Sequence, residues 1–160
     1  MDANQVKRLG LLQDFSDEDV AALLRCGAHR AFSKDEEVLQ QGQRNASLFL
    51  VQDGLLHVRR RMKDREILLG RLEPGNFFGE ITLFNPGPTT ATVRGVSNGH
   101  LLILRRDQFD DFLALRPHAG LQMVSRILAE MANRLRQTDE RLFDTLMWGG
   151  LVKGTERDES

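Results

Sequence analysis

The sequence predicts a mainly β fold with flanking helices, a small barrel or sandwich followed by one long amphipathic helix. Three observations carry this. Eight of the fourteen glycines fall between positions 42 and 99, so the middle of the chain is rich in turns. Between those glycines lie short alternating or β-branched runs, the pattern of strands separated by turn signals. Beyond Pro117 the apolar residues recur at spacings of 3, 4, 3, 4, 3 and 4, which is a heptad seam. A length of 160 residues suits one domain with a protruding element. With 41% hydrophobic and 28% charged residues, the composition excludes the disordered, collagen-like and membrane classes.

In chain order, Ser16 followed by Asp17, Glu18 and Asp19 reads as an N-cap with an acidic first turn. Val20, Leu23 and Leu24 then form an apolar stripe that Gly27 can end. Strands are predicted at 37–40, 48–51, 55–58, 67–69, 90–93 and 101–104, with Asp53-Gly54 as a hairpin signal. The basic run 57–65 reads as a hairpin with solvated charges, although it is also a place where an anion can be held. Asp107 is placed to cap a helix carrying Phe109, Phe112, Leu113 and Leu115. Pro117 disfavours helix at the residue before it and suits the first turn of the next one.

That last helix carries Leu121, Val124, Leu128, Met131, Leu135, Thr138 and Leu142 along one seam. Three heptads with a single polar position predict pairing with a second copy, a homodimer contact; the alternative is packing on the chain's own barrel. Over 117–148 the helix would be about 45–48 Å long. The expected organisation is a β domain with its flanking helices at 1–116, the dimer helix at 117–148 and a polar tail at 149–160.

Several classes of function find no support. A net charge of -1 supplies no general attraction for nucleic acid or anionic lipid. The one cysteine, Cys26, leaves no internal disulfide, and the amino terminus lacks the apolar run of a secretion signal, so a cytoplasmic location is expected. No run of apolar residues is long enough for a membrane-spanning helix. Cys26 and His29 are at most half a metal site, and no metal or cofactor is expected. Nucleophile-elbow, P-loop and zinc-protease patterns are missing, so the chain is not expected to be an enzyme.

The informative stretch is Glu73-Pro74-Gly75-Asn76-Phe77-Phe78-Gly79-Glu80-Ile81-Thr82-Leu83-Phe84, followed by Gly87-Pro88-Thr89-Thr90-Ala91-Thr92-Val93. It reads as a loop, a helical turn and a strand. Gly79 permits close approach to the backbone, and a helix starting near it presents amide N–H groups to an anion. Glu80 at the same turn adds a carboxylate acceptor suited to a ribose hydroxyl. Anion-binding amides beside a carboxylate suit a sugar phosphate, while a purely structural Gly-Glu turn remains the plainer alternative.

Residues 75–83 resemble the phosphate-binding cassette of cyclic nucleotide-binding domains. Val38-Leu39-Gln40-Gln41-Gly42 and Leu48-Phe49-Leu50-Val51-Gln52-Asp53-Gly54 are similar to that family's early strands, and Thr92-Val93-Arg94-Gly95 to the strand after the cassette. The resemblance covers roughly residues 10–145, and residues 128–138 are most similar to the dimer helix of the family's catabolite activator branch. It implies a β-roll, or jelly roll, and a bound cyclic nucleotide: cyclic AMP, cyclic GMP or a cyclic dinucleotide. By the same resemblance Glu80 is the ribose 2′-hydroxyl acceptor. Phe78, Gly79 and Ile81 belong to the ligand-binding turn, the latter two through their backbone. Thr90 and Ala91 face the phosphate, Arg134 lies near the ribose glutamate, and Thr138 reaches the base. Thr138 equally suits a register device within the seam.

Two departures accompany the match. The family usually places an arginine where this chain has Thr89. A charge-assisted hydrogen bond is worth about 1.5–3 kcal/mol, so losing one or two weakens binding by roughly tenfold to several thousandfold. The remaining hydroxyls and amides then suffice, or the ligand differs, or the pocket is vestigial. The activator branch also continues into a helix-turn-helix domain, and here only a short tail follows the long helix, so direct DNA reading is not expected. The expectation is a cytoplasmic, homodimeric, non-enzymatic sensor that signals to an unknown protein partner. Its rival is a dimeric adaptor with a vestigial pocket.

Overall fold

A computed structural model describes the backbone of residues 10–155 and the side chains of residues 10–148. The amino-terminal segment 1–9, on which the expected lack of a secretion signal rests, and the last part of the expected polar tail, 156–160, lie outside the described residues. A 3-10 turn at Gly10–Leu12 leads into α1 (Asp17–Cys26). Ser16 caps it reciprocally: its hydroxyl accepts from the Asp19 N–H at 3.1 Å, and the Asp19 carboxylate accepts from the Ser16 N–H at 3.2 Å. Gly27 ends the helix in extended backbone, φ -95°. Glycine is required there by space, because a Cβ would stand 2.6 Å from Leu102 Cδ1.

The strands are β1 (Ala28–Phe32), β2 (Glu37–Leu39), β3 (Arg44–Asn45), β4 (Ser47–Asp53), β5 (Leu56–Met62), β6 (Arg65–Leu72) and β7 (Phe77–Phe78). The short α2 (Glu80–Phe84) comes next, then β8 (Gly87–Pro88), β9 (Thr92–Gly95), β10 (Gly99–Arg105), α3 (Arg106–Leu115) and α4 (Pro117–Thr155). All pairings are antiparallel. One sheet runs β1-β10-β4-β7, a second runs β2-β9-β5-β6, and β3 pairs with β8. This is the jelly-roll class that the resemblance implies.

Between the sheets lies a core of Phe32, Val38, Leu39, Phe49, Val51, Leu56, Leu72, Phe78, Val93 and Leu101. Leu48 and Leu50 of β4 and Leu102 and Leu104 of β10 alternate with those core residues and are equally buried. The first sheet is therefore covered on both faces, which is why 48–51 and 101–104 read as unbroken apolar runs. Helix α3 packs on β10 and on α1, with Phe15 stacked on Phe112 at 5.9 Å.

Four expectations are corrected. Asp53-Gly54 makes no hairpin, since β4 pairs with β10 and β7 while β5 pairs with β6 and β9. The turn carries the chain from one sheet to the other, and Gly54, at φ +86°, leaves only 2.6 Å between a would-be Cβ and the Asn98 carbonyl oxygen. Asp107 is not the cap of α3: Arg105 holds that position, its N–H donates to Gln108 Oε1 at 3.0 Å, and Asp107 pairs with the Arg105 guanidinium. Thr90 and Ala91, expected in a strand at 90–93, stand outside it, because β9 begins only at Thr92. Finally, α4 does not stop at Trp148 but runs to Thr155, about 58 Å in all. A Gly-Gly pair costs about 2 kcal/mol against alanine but breaks no backbone hydrogen bond, unlike proline.

The chain divides into two units within α4, one ending at Met123 and the other starting at Val124. In the second, the seam leucines Leu128, Leu135 and Leu142 are 61%, 63% and 57% exposed. Among the described residues no helix is long and apolar enough to cross a membrane.

Candidate functional site

The chain enters the candidate site through the loop at 73–76. The Gly75 N–H donates to the Val51 carbonyl at 2.9 Å, the Val51 N–H to the Asn76 carbonyl at 2.9 Å, and Asn76 Oδ1 accepts from the Glu73 N–H at 2.8 Å. This ties the loop to β4, and β7 then pairs with β4 so that Phe78 stacks on Phe49, 4.7 Å between ring centroids. Two aromatic rings in the core thus fix the residue just before the turn.

Gly79 makes the turn at φ +84°, where a Cβ would meet the Ser47 carbonyl oxygen at 2.4 Å. Both the left-handed backbone and the missing side chain are needed. Helix α2 follows at once, with Glu80 at its first position and only 3% exposed. Ile81 and Phe84, three residues apart, form the exposed face of α2, while Thr82 and Leu83 are buried. The sequence therefore places one carboxylate inside the fold at the start of a helix, where the amide dipoles favour negative charge.

What holds α2 in place was not singled out in the sequence. Asn45 Nδ2 donates to the Ser47 carbonyl at 2.8 Å and to Thr82 Oγ1 at 2.9 Å, and the Thr82 hydroxyl donates to the Gly79 carbonyl at 3.2 Å. At the other end Arg106 Nη1 donates to the Leu83 carbonyl at 3.2 Å, and the same guanidinium lies over the Phe84 ring. Asn45 had a readable local signal: its Oδ1 accepts from the Ser47 N–H two residues on, an Asx turn. Its reach to Thr82 is a tertiary contact and has none.

Beyond α2, Thr89 is buried and its hydroxyl donates to the Gln40 carbonyl at 2.5 Å. The backbone of Thr89 is tied to the loop at 40–43 as well, through the Gly42 N–H at 2.8 Å and the Gln43 carbonyl at 2.9 Å. Thr89 thus supplies neither a charge nor a spare proton. Thr90 is exposed and Ala91 half-buried, both between β8 and β9.

Arg134 and Thr138 lie in the second unit, one turn apart on α4. Arg134 Nε donates to Glu130 Oε1 at 3.2 Å, and the Thr138 hydroxyl donates to the Arg134 carbonyl at 2.9 Å. The hydroxyl proton of Thr138 is therefore used within its own helix, and its oxygen keeps acceptor capacity. Val124 and Met131 are half-buried, whereas Leu121 is 65% exposed.

The rejected sites have ordinary surroundings. Burial, then the negative charge of Asp111, pushes the Cys26 thiol up, which disfavours the thiolate that metal binding or nucleophilic attack needs. His29 Nε2 lies 3.1 Å from the Leu24 carbonyl oxygen. No group of three or more metal-ligating side chains occurs among the described residues. The basic run forms the β5–β6 hairpin, turning at Lys63 with φ +54°.

Comparison with known proteins agrees with this arrangement. A family model described as "Cyclic nucleotide-binding domain" matches residues 29–116. The CRP-like cAMP-activated global transcriptional regulator of Mycobacterium tuberculosis is 29% identical over 140 residues, 87% of this chain and 61% of that protein. The chain thus spans about three fifths of the length of that curated relative. Among solved structures, the catabolite activator protein of Thermus thermophilus superposes with a TM-score of 0.77 at 27% identity, covering 87% of this chain and 63% of that one. The N-terminal domain of a transcriptional regulator from Streptomyces coelicolor gives 0.68 at 27% identity, covering 86% of this chain and 94% of that one. The family match takes in both sheets and the whole Gly79–Glu80 turn over more than half of the chain, which therefore belongs to the cyclic nucleotide-binding domain family.

Proposed function

We propose that the chain is a non-enzymatic sensor module that binds a cyclic nucleotide of the cyclic AMP type and passes occupancy along α4. The observation that carries this is Glu80, a carboxylate held inside the fold at 3% exposure, directly after a left-handed glycine, within the segment matched to the family. In this reading Glu80 accepts a ribose hydroxyl. Phe78, Gly79 and Ile81 shape the turn around the sugar and phosphate, and Thr90 and Ala91 meet the phosphate with a hydroxyl and an amide. Arg134 and Thr138 are the ligand contacts that the family resemblance adds on α4, and the exposed leucines of α4 pair two copies into a homodimer in the cytoplasm. Binding shifts the helix only as far as the ligand's affinities for the two arrangements differ. In this reading a protein partner receives the signal.

A second reading is favoured by Thr89, whose hydroxyl is committed to Gln40 and which adds no positive charge. In it the fold and the helix are kept and the chain is a dimeric adaptor. A thermal-shift titration with cyclic AMP, cyclic GMP and cyclic di-GMP separates the two. For the sensor, one nucleotide raises the melting temperature saturably and Glu80→Ala abolishes the shift. No shift with any of the three at millimolar concentration sinks the sensor and leaves the adaptor.

A further inference from the structure

The chain leaves the second sheet just after the cassette, and a side chain occupies the ladder position it vacates. β9 pairs with β5 from Gly95 opposite Leu56 to Thr92 opposite Arg59. Continued by one pleat, the ladder would set Thr90 opposite Arg61, and 90–93 is good strand sequence. Yet β9 begins at Thr92.

Instead the carboxamide of Gln41, in the loop after β2, does the work of the absent peptide groups. Its Nε2 donates to the Arg61 carbonyl at 3.1 Å and its Oε1 accepts from the Arg61 N–H at 2.7 Å. A carboxamide offers one acceptor and a donor side by side, the same pair that a ladder residue offers. The Gln41 N–H in turn donates to Thr92 Oγ1 at 3.0 Å, while Gln40, Gly42 and Gln43 hold Thr89. The loop therefore grips the chain on both sides of Thr90 and Ala91. Water would satisfy Arg61 equally well, but water would not stop β9 from zipping up by two residues.

We propose that Gln41 is a positioning residue for the nucleotide pocket: by filling the ladder opposite Arg61 it keeps Thr90 and Ala91 off the sheet and available to the phosphate. The link to the phosphate rests on the functional reading above; the exclusion of Thr90 and Ala91 from the ladder does not. Amide NMR and hydrogen exchange on Gln41→Ala test it, with Gln41→Met, a side chain of similar length that still fills the position without hydrogen-bonding Arg61, as the space-filling control. In Gln41→Ala the Thr90 and Ala91 signals are expected to move toward strand values, with exchange at Thr90 slowed about fivefold or more, as one added hydrogen bond implies. Affinity for cyclic AMP falls about tenfold, and Gln41→Met stays near the unaltered protein in both. A purely structural brace predicts the opposite sign, faster exchange across the hairpin. Unchanged Thr90 and Ala91 signals in Gln41→Ala overturn the proposal whether or not nucleotide binds. Shifted signals with unchanged affinity overturn its link to the pocket. If the unaltered protein binds no nucleotide, the pocket reading falls, and the affinity role of Gln41 with it, while the amide signals still report the strand exit.

Discussion

Gly79 shows how much a single position carries. Its φ of +84° and the Ser47 carbonyl oxygen 2.4 Å from a would-be Cβ are two separate objections to any side chain. Gly79→Ala is expected to destabilise the fold by about 2–3 kcal/mol, lowering the melting temperature by roughly 5–10 °C for a chain of this size. Scanning calorimetry checks this, and an unchanged melting temperature would show that the turn relaxes freely. Asn45 is a lesser case of the same kind. Its truncation to alanine removes the bond to the buried Thr82 hydroxyl and is expected to cost about 1–2 kcal/mol by urea unfolding.

Among the elements, the ends of α1 and α3 are tied by charge. Burial acts to raise the Asp19 carboxyl, but hydrogen bonds from Ser16 and Arg116 outweigh it and hold Asp19 below the usual carboxylate range. Two Arg116 nitrogens lie 2.6 Å from the same Asp19 oxygen. A carboxylate with a depressed folded pKa contributes stability that is complete above its unfolded value near 3.9 and is lost as pH falls through the folded value. Arg116→Met is therefore expected to cost about 1 kcal/mol above pH 5, discounted for partial exposure, with the difference from the unaltered protein shrinking as pH falls below the ordinary carboxylate range and Asp19 takes up its proton. Urea unfolding at several pH values measures it; a difference constant with pH would mean that Asp19 is not the partner that matters.

For the molecule as a whole, the informative feature is the leucine stripe. Leu121, Leu128, Leu135 and Leu142 recur every seven residues and each is more than half exposed. Solvated leucines at heptad spacing are costly unless a second helix covers them, at up to about 1.5–3 kcal/mol per buried side chain. Sedimentation equilibrium is expected to give a dimer for the unaltered protein and a folded monomer for the pair Leu128→Glu and Leu135→Glu. A dimer that survives both changes would place the contact elsewhere.

The sequence by itself determined the glycine-punctuated β region, the capping box at Ser16, the turn at Gly79 and Glu80 and the heptad seam, because each is a local signal written within a few residues. Tertiary structure decided the rest. Strand pairing turned Asp53-Gly54 from a hairpin into a crossing between sheets, since a turn residue specifies its own backbone and not the partner of the next strand. The two-residue strands β3, β7 and β8 are too short to show any periodicity and exist only through their partners. The contacts of Asn45 with Thr82 and of Gln41 with Arg61 span 37 and 20 residues. Side-chain amides are common in loops, and only the closed roll brings these two to the groups they satisfy.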